Sequence, residues 1–236
     1  MIGFYDYTVI LTYLSLLSAG LGIFVTLDGS GHPYIGTFFL LFCGLCDSFD
    51  GLVARTKKNR SESAKKFGIQ IDSLSDLVAF GVLPACIGMS LIRTSDTLTD
   101  WVGNSKDNPI WMCVVIALFA VLALYILAAL IRLAYFNVTE EERQSTEGGT
   151  RKSYTGLPVT SAALIFPMVM LFKYVSGEAL DLSFIYFPVV LITGFLFLSK
   201  IRIPKPHLRG ILILVALGIV ECIVMLILYL NRQGQL

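Results

Sequence analysis

Cys46-Asp47-Ser48-Phe49-Asp50-Gly51-Leu52-Val53-Ala54-Arg55 and Phe67-Gly68-Ile69-Gln70-Ile71-Asp72-Ser73-Leu74-Ser75-Asp76 write four aspartates into two apolar stretches, at i,i+3 and then i,i+4 spacing. Both spacings return to one face of an α-helix. Carboxylates within membrane segments are costly; they mark ion or substrate sites, or else sit neutral inside a bundle. Four at helical spacing, interleaved with glycine and alanine, point to a divalent-metal site.

The surrounding composition makes these stretches membrane segments. Of 236 residues, 56% are hydrophobic and only 15% charged, with a mean hydropathy of +0.76. Soluble domains carry about 25% charged residues. Several apolar runs approach the roughly 20 residues that span a bilayer as helix. The expected fold is an all-α polytopic transmembrane bundle forming a single domain over 1–236. Seven spans are expected, at about 8–27, 33–55, 70–92, 110–136, 156–175, 183–199 and 209–230. Turn chemistry sets the cuts: Asp28-Gly29-Ser30-Gly31-His32-Pro33, Ser105 to Pro109, Gly156-Leu157-Pro158 and Pro204-Lys205-Pro206.

The first seven residues carry no Lys or Arg, which argues for a permanent first span over a cleaved signal peptide. The net charge of +1 supplies no field for nucleic acid. Fourteen of the eighteen Lys and Arg fall on one set of connections: Arg55, Lys57, Lys58, Arg60, Lys65, Lys66, Arg132, Arg143, Arg151, Lys152, Lys200, Arg202, Lys205 and Arg209. Positive charge stays cytoplasmic, so the amino terminus and both aspartate pairs are expected at the cytoplasmic side. The short carboxy-terminal tail is expected outside. The absence of targeting extensions suits a prokaryotic plasma membrane.

Other polar residues are given plain structural readings. Cys43, Cys46, Cys86, Cys113 and Cys222 all lie in apolar segments, and Cys43-x-x-Cys46 lacks a second pair, so helix packing is expected of them. His32 and His207 stand in turns. Glu140-Glu141-Glu142-Arg143 and the polar run after it are expected in a solvated loop. Arg151 and Lys152 are read as setting topology. Glu221 is expected neutral and hydrogen-bonded within the bundle or at a dimer seam. No aspartate motif recurs in later helices, which disfavours a repeat-built cation transporter, the rival from another class.

At about 100° per residue, Asp47 and Asp50 flank a strip made of Gly51 and Ala54, with Arg55 one turn on. Gly68, Asp72 and Asp76 form a single stripe on the next helix. Four convergent carboxylates repel, and hard oxygen-seeking divalent cations resolve the conflict. The arginine fork suits phosphate oxygens.

The pattern Asp47-x2-Asp50-Gly51-x2-Ala54-Arg55-x12-Gly68-x3-Asp72-x3-Asp76 resembles the signature of the CDP-alcohol phosphotransferase family. Members join a cytidine-diphosphate-activated molecule to an alcohol and release CMP. The resemblance implies a six-helix core, a homodimer and two Mg²⁺ or Mn²⁺ ions. It also implies that Asp47, Asp50, Asp72 and Asp76 are metal ligands, with Asp76 doubling as general base. Asp47, Gly51, Ala54 and Arg55 would meet the nucleotide of the CDP-lipid. Twelve residues separate Arg55 from Gly68, more than the family's usual spacing. Ser61 or Ser63 in that longer loop is a candidate for the hydroxyl common before the Phe-Gly pair.

Phe67 through Ala85, with Arg132-Leu133-Ala134-Tyr135-Phe136-Asn137 and Tyr154-Thr155-Gly156-Leu157-Pro158, resembles the branch of the family that uses L-serine. That branch condenses CDP-diacylglycerol with L-serine to give phosphatidylserine and CMP within the lipid bilayer. Arg132 and Asn137 are then candidates for holding serine or a phosphate. The alternatives are a snorkelling anchor for Arg132 and a helix cap for Asn137. Sister reactions on glycerol 3-phosphate or inositol phosphate, and an ether-lipid donor, stay open.

Overall fold

The computed structural model describes residues 3, 5–29, 31–57, 59–104, 108–146, 153–176, 181–204 and 208–233. Lys58, Lys106, Arg151, Lys152, Lys205 and His207 lie outside them, as do residues 147–150 of the polar run. The chain is an all-α polytopic membrane protein. Helix α1 covers Ile10–Leu27 and α2 Pro33–Thr56. Helix α3, Glu62–Asp76, passes through a π-helical segment, Leu77–Val82, directly into α4, Leu83–Thr94. A short α5, Asp96–Asn104, precedes the long α6, Pro109–Thr146. Helices α7, Ala162–Ser176, α8, Ser183–Leu198, and α9, Leu208–Gln233, complete the bundle. The strands β1, Ser153–Thr155, and β2, Arg202–Pro204, pair antiparallel with Tyr154 opposite Ile203.

Four of these helical stretches are long and apolar enough to cross a membrane: Tyr7–Leu27, Pro33–Thr56, Glu62–Thr94 and Pro109–Arg143. Val159–Phe172, Ser183–Leu198 and Leu212–Leu228 are shorter apolar helices, so each of the seven expected spans has a counterpart. Large apolar side chains stand outward on α1, α6, α8 and α9, among them Phe24, Ile116, Phe195 and Ile213. Outward apolar faces suit lipid contact, where it is the backbone polar groups that must be satisfied internally.

Several boundaries differ from expectation, each for a local reason. The third helix begins at Glu62, not at residue 70, because Ser61 caps it: its Oγ accepts from the Ala64 N–H at 3.2 Å. Polar composition masked this first stretch, which a Lys65–Glu62 pair at 2.7 Å supports. The fourth helix runs to Thr146, so Glu140-Glu141-Glu142-Arg143 is helical. Glu and Arg are good helix formers, and Arg143 pairs with Glu140 at 2.6 Å. The fifth helix starts at Ala162, because Gly156 adopts a positive φ of +80° and Pro158 is extended. Helix α5 carries too few apolar residues to stand out as a span; Ser95 Oγ caps it by accepting from the Leu98 N–H.

Helices α1 and α2 pack through small residues. A Cβ on Gly36 would stand 1.9 Å from Thr26 Oγ1, so only glycine permits this approach. The core sits between α4, α6, α7 and α8, around Tyr125, Phe166 and Tyr186. The Tyr125 and Phe166 rings meet edge to face with centroids 5.6 Å apart.

The π segment has a sequence cause. Pro84 has no N–H and cannot donate to the carbonyl of Phe80, its i−4 partner in an α-helix. That carbonyl instead accepts from Tyr125 Oη at 2.7 Å, while Tyr186 Oη donates to the Pro84 carbonyl at 2.6 Å. Two tyrosines from α6 and α8 thus fasten the break in the α3–α4 rod, one turn beyond Asp76. Tyr125→Phe deletes a buried donor and should cost about 1 kcal/mol. A lowered midpoint in thermal unfolding of the purified protein is the expected result.

Candidate active site

Helix α1 sets the spacing of the two aspartate-bearing helices. Its Thr12 carbonyl accepts from Ser75 Oγ of α3 at 3.2 Å, and its Ser15 carbonyl accepts from the Cys43 thiol of α2 at 3.3 Å. The two carbonyls lie three residues apart, so one turn of α1 holds both partners. Cys43 and Cys46 are free and buried, in keeping with a packing role. On the other side of α3, Asn137 Nδ2 of α6 donates to Ser73 Oγ at 2.7 Å. Ser73 follows Asp72 and Ser75 precedes Asp76, so the second aspartate pair is gripped from both flanks.

Carboxylate oxygens of Asp47, Asp50 and Asp72 all lie within 4.8 Å of one another. Asp76, one turn beyond Asp72, is only 8% exposed and lies within electrostatic range of the other three. Among the described residues, no Lys or Arg forms an ion pair with any of the four. Two unit charges 4 Å apart repel by about 4 kcal/mol at the effective dielectric of a protein surface. Three such groups stay ionised together only with a countercharge beside them. Among the described residues the donors grouped within this distance are all carboxylate oxygens, so the set fits a hard divalent cation.

Asp47 faces a second feature as well. A cavity of about 680 Å³ runs between α2, α7, α9 and the segment after β1. Asp47, Ser48, Gly51 and Arg55 line its polar end with Tyr154, Thr160 and Ser161, whereas Phe38, Leu41, Leu164 and Ile219 are among its apolar walls. Gly51 is exposed, and nothing lies within 4 Å of the place a Cβ would occupy. Ala54 is half-buried and Arg55 exposed at the end of α2. Tyr7 Oη meets Thr56 Oγ1 at 3.0 Å and Lys57 Nζ meets Asp6 at 2.5 Å, which ties this end of α2 to the residues before α1. The Lys57 hydrogen bond, joined by its charge, holds the Asp6 carboxyl below the usual range.

Arg132 departs from the snorkelling alternative. Only 5% of it is exposed; its Nε donates to the Leu157 carbonyl at 3.0 Å and an Nη to that of Gly156 at 3.4 Å. The same turn is held by the Gly156 N–H on the Ile201 carbonyl at 2.7 Å and the Leu157 N–H on the Leu196 carbonyl at 3.1 Å. Arg132 therefore fixes the segment that brings Tyr154, Thr160 and Ser161 to the cavity. Asn137 is no helix cap, since α6 continues nine residues past it to Thr146. Glu221 is buried, and among the described residues neither carboxyl oxygen has a hydrogen-bond partner, so the bond expected within the bundle is not formed. His32 stands before α2 without capping it by its side chain.

The sequence did not single out Ser73, Ser75, Thr160 or Ser161. Small hydroxyls in apolar helices carry no periodic signal, although the Tyr154–Pro158 stretch beside the last two did stand out.

The chain matches the family model described as CDP-alcohol phosphatidyltransferase over residues 8–198, which leaves α9 outside the match. It is similar to the CDP-diacylglycerol–serine O-phosphatidyltransferase of Helicobacter pylori, 32% identical over 192 residues covering 78% of this chain and 67% of the relative. The Saccharomyces cerevisiae protein of the same name is 34% identical over 148 residues, covering 61% of this chain and 44% of the relative. An archaetidylserine synthase of Methanothermobacter thermautotrophicus is 30% identical over 196 residues, covering 83% and 68%. No solved structure gives a significant match.

Gly156→Ala tests the turn beneath the cavity. A Cβ there would stand 2.8 Å from the Phe197 and Ser199 carbonyls, on backbone that disfavours any side chain. A loss of about 1–3 kcal/mol is expected, read as a fall in unfolding temperature.

With its family model spanning most of the helical bundle and the acidic cluster within it, the chain belongs to the CDP-alcohol phosphatidyltransferase family.

Proposed function

We propose that this protein is a CDP-diacylglycerol–serine O-phosphatidyltransferase, which moves a phosphatidyl group from CDP-diacylglycerol to the hydroxyl of L-serine and releases CMP. The observation that carries this proposal is the double placement of Asp47, in the acidic trio and at the polar end of a mostly apolar cavity. A lipid with a charged headgroup has that same division. Relatives named for transfer to serine supply the acceptor. The active site faces the cytoplasm, because Arg55, Lys57, Lys65 and Lys66 gather at the end of the bundle that holds the aspartates. The protein is one domain over 1–236, and it works as a homodimer in the plasma membrane of a prokaryote.

Two divalent cations, Mg²⁺ or Mn²⁺, held by Asp47, Asp50, Asp72 and Asp76 would neutralise phosphate charge and stabilise the departing oxygen. The acyl chains lie along the apolar cavity wall. Gly51 and Ala54 leave the α2 backbone open to the nucleotide, and Arg55 offers its planar fork to phosphate. The Asp76 carboxylate takes the proton from the serine Oγ, which attacks the lipid-side phosphorus. The bond from that phosphorus to the oxygen of the cytidylate phosphate breaks, and CMP leaves with the electron pair. Arg132 and Asn137, the candidates for serine or phosphate contact, serve by positioning: Arg132 through the Gly156–Leu157 turn and Asn137 through Ser73.

A second donor is favoured by one observation, the similarity to an archaetidylserine synthase over 83% of the chain. Apolar cavity walls do not read the linkage of a lipid chain, so ether-linked CDP-archaeol is also a candidate substrate.

Purified protein given CDP-diacylglycerol should release CMP on addition of L-serine and not of glycerol 3-phosphate or inositol phosphate. Asp76→Asn should lower turnover by roughly 10²–10⁴-fold while leaving CMP binding in place. Near wild-type phosphatidylserine formation by this variant would remove Asp76 as the base.

A further inference from the structure

The loop between α2 and α3, longer than the family's usual spacing, carries an arginine that the reaction above does not use. Arg60 folds back over α3. Its Nη2 donates to the Ala64 carbonyl at 3.1 Å and stands 2.7 Å from the place a Gly68 Cβ would occupy. Gly68 is the first member of the stripe that continues through Asp72 and Asp76. Its missing side chain is what lets the guanidinium lie on that stripe. Residues one turn apart on a helix face are about 5–6 Å apart at Cβ, so the cation rests one turn from Asp72. It is nevertheless no partner of the cluster, because Arg60 makes no ion pair within 4.0 Å among the described residues.

Two features make this an unfinished arrangement. The Arg60 Nε is shut off from solvent and has no hydrogen-bond partner among the described residues, an expensive state for a donor on a charged group. Arg60 also stands just before Ser61, the cap of α3, at the helix end whose partial positive charge disfavours a cation and favours an anion. Glu62 does not offset it, being engaged with Lys65. An arriving oxyanion that draws the guanidinium off Gly68, and so uncovers Nε, answers both features at once.

We propose that Arg60 is an oxyanion-binding residue of the active site, receiving a phosphate or carboxylate oxygen of a water-soluble reactant on the α3 side of the aspartates. Arg55 lines the lipid cavity from α2 and Arg60 does not, so the two arginines serve different groups. Within the phosphatidyltransferase reading on which this rests, the oxyanion is either the phosphate of the cytidine nucleotide or the carboxylate of serine. Both present the paired oxygens that a guanidinium fork accepts.

The test compares wild type, Arg60→Gln and Arg60→Lys as purified protein with Mg²⁺ present. CMP affinity is read by calorimetry and, separately, the KM for L-serine is measured. Arg60→Gln should weaken one of these by roughly tenfold, with Arg60→Lys recovering part of the loss because a point charge lacks the fork. Weakened CMP binding at unchanged serine KM assigns the nucleotide phosphate, and the reverse assigns the serine carboxylate. If both variants stay within twofold of wild type on both readings, Arg60 only braces α3 and the proposal is overturned. Should Arg60→Gln fail to fold, Arg60→Lys against wild type decides by the same readings. Wild type that neither binds CMP nor responds to serine would instead sink the parent function, and this inference with it.

Discussion

Mutual repulsion among Asp47, Asp50 and Asp72 is the constraint around which this bundle is arranged. Their oxygens converge within 4.8 Å, from two helices, with no Lys or Arg paired to them among the described residues. Nothing in the local chain favours that convergence, so the scaffold has to impose it. Helix α1 does so with two backbone carbonyls one turn apart, Thr12 taking Ser75 of α3 and Ser15 taking Cys43 of α2. Asn137 closes the opposite flank through Ser73. Two carbonyls, a thiol, two hydroxyls and a side-chain amide are small and neutral. They fix position without supplying the countercharge that would make a cation unnecessary.

The rod that carries the third and fourth aspartates is interrupted directly after Asp76. Pro84 cannot donate to the Phe80 carbonyl, the helix widens into π geometry over Leu77–Val82, and Tyr125 and Tyr186 bond to the carbonyls around the break. Asp76 thus sits at the junction between the last turn of α3 and the buried half of the rod. The cavity side is braced by different means: the buried Arg132 holds the Gly156 turn, and the β1–β2 ribbon ties that turn to the end of α8.

Much of this was legible in the residues. The four aspartates, the glycine-alanine strip and the family likeness all followed from spacing and residue type, and each of seven apolar segments has a helical counterpart. The departures share one cause, that hydropathy locates apolar length and not helix. Glu62–Gln70 and Asn137–Thr146 are helical through capping and charge pairing, so an apolar count cut both helices short. Arg132 shows the converse limit. A lone cation in an apolar helix suggests a headgroup or a ligand anion, yet its named acceptors are two backbone carbonyls brought from 24 and 25 residues away by the turn at Gly156. Such a partner carries no charge, and although Tyr154–Pro158 stood out as a stretch, no residue type in it marks a backbone carbonyl as the acceptor. Glu221 in α9, outside the family match, is buried with both carboxyl oxygens unbonded among the described residues.

Whether the acidic trio holds cations is decided most directly by Mn²⁺ binding, followed by electron paramagnetic resonance on the purified protein without any substrate. Wild type should take up Mn²⁺ saturably, with Mg²⁺ competing, and Asp72→Asn should lose that uptake while keeping its helical content. Equal Mn²⁺ uptake by Asp72→Asn and wild type, or none by a folded wild type, would contradict the account.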